Sequence, residues 1–271
     1  MTYTRLRAYQ EWELAAGHAE NTRTDRFELL QRAESEVGEL TRATEARLTR
    51  WLANPAWSTA TRSTYFGHLA GYYRWLLKSG QIAKDPMLNL VRPKVPKRSP
   101  RPAAVDIYRT IMADAEPRWR IAATLARYAG LRASEIARAR REDVDEEMIR
   151  VRGKGGRIDM LPTHPAVWAL VRDRPAGLLV VSASGGEYRP AGISHAFGVA
   201  MRRMGLPRPL GLHMFRHLYA TTLLRAVEDG GAGANLRVTQ ELMRHASPAT
   251  TAVYTQVTDA ERRRAVLNLA A

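Results

Sequence analysis

The chain has 271 residues, room for two modest domains with separate cores. Its 42 lysines and arginines against 27 acidic residues leave a net charge of +15, which suits a polyanionic partner because protein cations displace the counterions condensed on nucleic acid. No cysteine is present, so disulfides, thiolate-bound zinc and thiol catalysis are excluded. The first thirty residues are charged throughout and no run approaches the roughly 18 apolar residues of a membrane span, so neither a signal peptide nor a membrane contact is expected.

In chain order, short helices are expected near residues 2–16, 23–36 and 44–53. A longer one is expected over 59–78, where Tyr65, Leu69, Tyr72, Tyr73 and Leu76 recur at three- and four-residue steps. Ser58 is its expected cap, and Gly80 its terminator. Thr61, Arg62 and His68 fall off the apolar stripe and are candidates to face DNA; a plain solvated face is the alternative. Residues 91–102 hold Pro93, Pro96, Pro100 and Pro102, which cannot continue a helix, among Arg92, Lys94, Lys97, Arg98 and Arg101. This reads as a basic, extended linker between a helical domain at 1–90 and a second domain at 103–271.

In the second domain Met148–Arg152 and Arg157–Leu161 alternate like strands around Gly153-Lys154-Gly155-Gly156, a β-hairpin signal. Leu178–Val181 is a further candidate strand. Helices are expected over 190–204, 213–228, 237–244 and 259–268, with a flexible loop at 228–234. The fold class expected is mainly α with a small β-hairpin.

Taken singly, the polar residues are ordinary. His213 and His217 have a metal-binding spacing, but the glutamate of a zinc-protease helix is missing. Arg132 follows Gly130-Leu131 at a break between helices, where a surface arginine is the bland reading. The chain has only five lysines, and Lys154 is the one beyond residue 97. Tyr254 is one of ten tyrosines.

Order and spacing change the weights. Ala129-Gly130-Leu131-Arg132-Ala133-Ser134-Glu135-Ile136 resembles the first arginine box of the tyrosine recombinase (phage integrase) family, and Gly153-Lys154-Gly155-Gly156-Arg157 its hairpin lysine motif. Leu212-His213-Met214-Phe215-Arg216-His217 resembles the second box. Gln240-Glu241-Leu242-Met243-Arg244-His245, with Tyr254 nine residues after His245, resembles the terminal box. Residues 1–95 resemble more loosely the family's helical core-binding domain, at Thr61-Arg62, Tyr73-Arg74-Trp75-Leu76 and Asp85-Pro86. Two departures stand out: Arg244 where the family usually has glycine, and the long stretch 228–234.

The resemblance implies a two-domain architecture, a helical core-binding domain followed by an α+β catalytic domain. It also implies strand cleavage through a 3′-phosphotyrosyl bond at Tyr254. Free tyrosine, with a pKa of about 10, needs help to attack a phosphodiester. Arg132 and Arg216 are implied to clamp the non-bridging oxygens and favour ionised Tyr254. Arginine does not release a proton near neutrality, so Lys154 is the implied general acid for the leaving 5′ oxygen. His213 is implied to bond the phosphate and assist proton transfer, and His245 to hold an oxygen. Glu135, with His217 in support, is implied to orient the arginine and the second-box histidines; a helix-capping acid is its bland reading. Arg62, Arg92, Lys94, Lys97 and Arg98 are the implied DNA contacts.

The bond energy is kept in the ester, so no cofactor, no nucleotide and no metal is expected. The implied partners are double-stranded DNA bearing core-type attachment sites and three further copies in a tetramer on paired sites, with an accessory DNA-bending or directionality factor. The implied setting is cytoplasmic and nucleoid-associated, in a bacterial cell or phage-infected host. Integration or excision of a phage or mobile element is the leading reading, since the first helix starts at once and leaves no room for an arm-binding domain. A Xer-type chromosome-dimer resolvase fits that as well, and a type IB topoisomerase uses a similar site on a longer chain. A non-catalytic DNA-binding accessory relative is the alternative of another class. The terminal Leu269-Ala270-Ala271 has a degradation-tag reading beside that of a docking helix end.

Overall fold

The computed structural model describes residues 2–96, 102–153, 156–207 and 210–244. Lys97, Arg98, Lys154, His245, Tyr254 and the expected helix at 259–268 lie outside the described residues. The chain divides into two compact units, Met1–Lys97 and Arg98–Ala271.

The first unit is built from α1 (Thr2–Ala15), α2 (Glu20–Val37), α3 (Glu45–Leu52) and α4 (Thr59–Lys78). The stripe read from spacing is its core: Leu69, Tyr72, Tyr73 and Leu76 are all buried, against Leu6, Leu30, Leu40 and Leu48. Each such side chain contributes about 1.5–3 kcal/mol. Ser58 caps α4, its Oγ accepting the Thr61 N–H at 3.1 Å. At the other end the Gln81 N–H returns to the Leu76 carbonyl and Gly80 to Leu77, a Schellman turn. The Tyr73 hydroxyl donates to the Leu40 carbonyl at 2.9 Å, and burial raises its pKa. Asp85 accepts the Met87 N–H at 2.8 Å, a turn that seats Met87 in the core.

The second unit holds α5 (Val105–Asp114), α6 (Pro117–Tyr128), α7 (Ala133–Arg138), α8 (Pro165–Val171), α9 (Pro190–Arg203), α10 (Leu212–Leu224) and α11 (Leu236–Leu242). Between α7 and α8 come β1 (Met148–Arg152) and β2 (Ile158–Pro162), antiparallel with Ile149 opposite Leu161. The buried run of α6 includes Trp119, Ile121, Ala122, Ala123, Leu125 and Ala126. Residues 121–126 are buried in unbroken succession, so this part of α6 lies inside the core, and the helix packs chiefly against α10, with α5, α7 and α8 also on it.

Two expectations are corrected. Leu178–Val181 is not a strand: Leu178 makes one isolated bridge to Arg140, and the backbone bonds on either side run to Ala139 and Arg141, just before a single 3-10 turn that offers no ladder. The helix expected over 213–228 stops at Leu224, because Arg225 turns extended. The stretch 228–234 folds back on that end: the N–H groups of Ala232 and Ala234 bond the carbonyls of Thr222 and Leu223 at 2.9 and 2.8 Å. Gly231 is required there, since a Cβ would sit 2.1 Å from the Arg225 carbonyl oxygen. No helix among the described residues is long and apolar enough to cross a membrane.

Candidate active site

The site is built on the turn between α6 and α7. Gly130 has φ +60°, and a Cβ on it would lie 2.5 Å from Cδ1 of the Tyr219 ring on α10. Glycine is therefore needed for both the left-handed backbone and the close approach. The turn delivers Arg132 to the N-cap of α7. There Glu135 reaches back, one oxygen accepting the Arg132 N–H at 2.7 Å and the other its Nη1 at 2.9 Å. Glu135 is thus both a capping acid and an arginine partner.

Arg216, on the face of α10 turned to α6, is 1% exposed. Its Nη1 donates to the Gly130 carbonyl and its Nη2 to the Met243 carbonyl, the latter at 2.5 Å. The guanidinium ties α10 to the α6–α7 turn and to the end of α11, and backbone oxygens offset the cost of burying its charge. The two arginines are therefore unequal. Arg132 keeps 41% of its side chain exposed, while both terminal nitrogens of Arg216 already engage backbone, a use the resemblance did not imply.

The His213 and His217 rings meet edge to face, centroids 4.2 Å apart. Desolvation, then Arg216 and Arg132, lower the pKa of His213. Burial, then His213 and Arg216, bring His217 down to about 4. Both imidazoles are neutral at pH 7, each able to donate from one nitrogen and accept at the other. Among the described residues Glu135 bonds arginines and not these histidines, and no group of three metal-ligating side chains occurs. Tyr219, two residues after the second box, is a packing residue over Gly130; burial raises its pKa against the pull of Arg244 and Arg216.

One site residue was missed as such. Arg244, noted in the sequence only as a departure, bonds Glu135 Oε2 through Nη2 at 2.5 Å with its side chain 5% exposed. Burial alone would raise the Glu135 pKa; Arg244 and then the contacts from Arg132 outweigh it and hold the carboxyl below its ordinary value. The signal that could have found it was the arginine itself, at a position usually given to glycine.

Of the expected DNA contacts, Arg62, Arg92 and Lys94 are described and fall in the first unit. Arg62 is half-buried in the first turn of α4, Lys94 is exposed, and Arg92 spends its Nε on the carbonyl and Oγ of Ser63, at 3.2 and 3.1 Å.

The phage integrase family model matches residues 104–261. The tyrosine recombinase XerC of Rhodospirillum centenum is 35% identical over 237 residues, 78% of this chain and 67% of that protein. The XerC of Corynebacterium efficiens is 32% identical over 242 residues, 82% and 76% of the respective chains. Among solved structures, a lambda integrase dimer bound to a COC′ core site matches with a TM-score of 0.75 over 97% of this chain and 78% of that one, at 18% identity. The Tn1549 transposon integrase in complex with circular intermediate DNA gives 0.71 over 97% and 98%, at 19% identity. These two show likeness of fold. The family match spans more than half of the sequence and contains all four boxes, so this chain belongs to the phage integrase family and is a tyrosine recombinase.

Proposed function

We propose that the chain cuts and rejoins duplex DNA at core-type sites, with Tyr254 as nucleophile. The observation that supports this most directly is the joining of the boxes. Arg216, in the second box, bonds both Gly130 in the first box and Met243, two residues before His245. In this reading the Tyr254 oxygen attacks phosphorus, a 3′-phosphotyrosyl bond forms, and the bond to the 5′ oxygen breaks. Arg132 stabilises the charge on the non-bridging oxygens, and buried Arg216 adds its positive charge to the site while its terminal nitrogens hold the backbone. Lys154 donates the proton that the 5′ oxygen needs, neutral His213 handles the tyrosine proton, and His245 holds an oxygen. The unit at Met1–Lys97 and the basic stretch after it supply phosphate contacts. Four copies act on paired sites in the bacterial or phage-infected cytoplasm, with an accessory bending or directionality factor.

The substrate of choice is an integrating phage or mobile element. A Xer-type resolvase role is the second reading, supported by the XerC relatives, and a requirement for a second, different recombinase would favour it. The catalytic test uses a nicked suicide substrate, which traps the covalent adduct. Tyr254→Phe keeps the ring and removes the oxygen, so the adduct vanishes while half-site binding survives; an undiminished adduct overturns the assignment. In the same assay Lys154→Ala is slow on ordinary DNA and recovers when the bridging 5′ oxygen is sulfur, since a thiolate leaves without a proton.

A further inference from the structure

Arg244 has a backbone that glycine prefers and a side chain that the core holds. Its φ is +52°, the one positive value at a non-glycine among the described residues. An L residue pays about 1–2 kcal/mol for that region, and it persists only where the surroundings impose it. Here they do. Nη2 bonds Glu135 at 2.5 Å, Nη1 donates to the Leu242 carbonyl at 3.3 Å, and Nε lies 3.9 Å from Asp159 Oδ2 on β2. The Arg244 carbonyl in turn accepts Nη2 of Arg132 at 3.2 Å.

Both groups that fix the Arg132 guanidinium are therefore in contact with, or part of, Arg244. We infer that Arg244 is a positioning residue for Arg132, dividing the Glu135 carboxylate so that Arg132 stays turned to the scissile phosphate. With the Arg244 side chain absent, Glu135 Oε2 keeps only the Arg132 backbone N–H and opens to the Arg132 guanidinium as well, and a bidentate pair draws a guanidinium off a competing anion. With it present, Arg132 shares the carboxylate, and the trio Arg132, Glu135 and Arg244 keeps one net positive charge where the phosphate binds. The same side chain joins segments that the catalytic reading needs together: the Asp159 contact reaches the hairpin that carries Lys154, and His245 follows Arg244 directly. This inference rests on the reading of Arg132 as a phosphate clamp.

The test is Arg244→Gly, which removes the side chain and relieves the backbone. Half-site affinity should stay within about twofold, while single-turnover cleavage of the nicked substrate at saturating protein slows on the order of tenfold to a hundredfold. Combined with Arg132→Lys, the two penalties should fall short of multiplying, because both act on one guanidinium. Parental cleavage by Arg244→Gly, or penalties that multiply in full, overturns the inference. If the glycine variant loses its thermal midpoint, the same cycle on Arg244→Lys, which keeps a cation but not the fork, decides by the same two outcomes. Tyr254→Phe run alongside separates the failures: an adduct that survives in it sinks the catalytic reading, whereas loss of that adduct with parental Arg244→Gly sinks only the role of Arg244.

Discussion

Neutral histidines at the heart of a cationic site are a matter of three or four neighbours. His217 has a folded pKa of about 4 against an ordinary 6.5, because burial, His213 and Arg216 all oppose its charge. The unfolded chain therefore takes up the proton first as pH falls. Stability is full above about pH 6.5 and is lost progressively between 6.5 and 4, on the order of 1–3 kcal/mol. Urea unfolding at several pH values should show this fall, and His217→Gln should flatten it. A parent equally stable at about pH 7 and pH 5 would count against the burial described. The two histidines were legible as a pair from their spacing, but their charge state was not, since it depends first on burial of the rings and then on the Arg216 charge beside them.

At the scale of elements, the turn between α6 and α7 sets the position of Arg132. Gly130→Ala adds a strained left-handed alanine and a methyl group 2.5 Å from the Tyr219 ring. Together these cost roughly 3 kcal/mol or more, read as a lower denaturant midpoint. Combining Gly130→Ala with Tyr219→Ala should cost less than the sum of the two, since the clash needs both partners. Additive losses would mean the ring does not lie on the turn. Most elements were legible: the α4 stripe, its Ser58 cap and the hairpin follow from local pattern. The end of α10 was not. Nothing in residues 213–228 forbids a helix, and the stop at Leu224 comes from N–H groups of the glycine-rich stretch folding back onto its last carbonyls.

For the whole molecule, a net charge of +15 implies binding that weakens steeply with salt. Half-site affinity measured across a salt series should fall linearly on logarithmic axes. Replacing Lys94, Lys97 and Arg98 with glutamine should reduce that slope by roughly one per lost phosphate contact. Arg92→Gln should change it less and cost stability instead, because its Nε is held by Ser63. An unchanged slope for the triple variant would show that this stretch does not meet the DNA backbone.

Local information was enough for the class of protein. Helical periodicity, the prolines after residue 91, the hairpin glycines and the order of four boxes are all written within short windows, and each reflects short-range sterics or side-chain chemistry. Tertiary structure decided how the groups are used. Arg132 and Glu135 are near neighbours in sequence, but Gly130, Arg216 and Met243 meet only when α10 packs on α6 and α11 closes against it. Arg244 shows the same limit most sharply. In the sequence it was a misfit where glycine is usual; in the fold its carbonyl holds Arg132 and its guanidinium holds Glu135. A contact between residues 109 positions apart is decided by packing, because no local rule reaches that far.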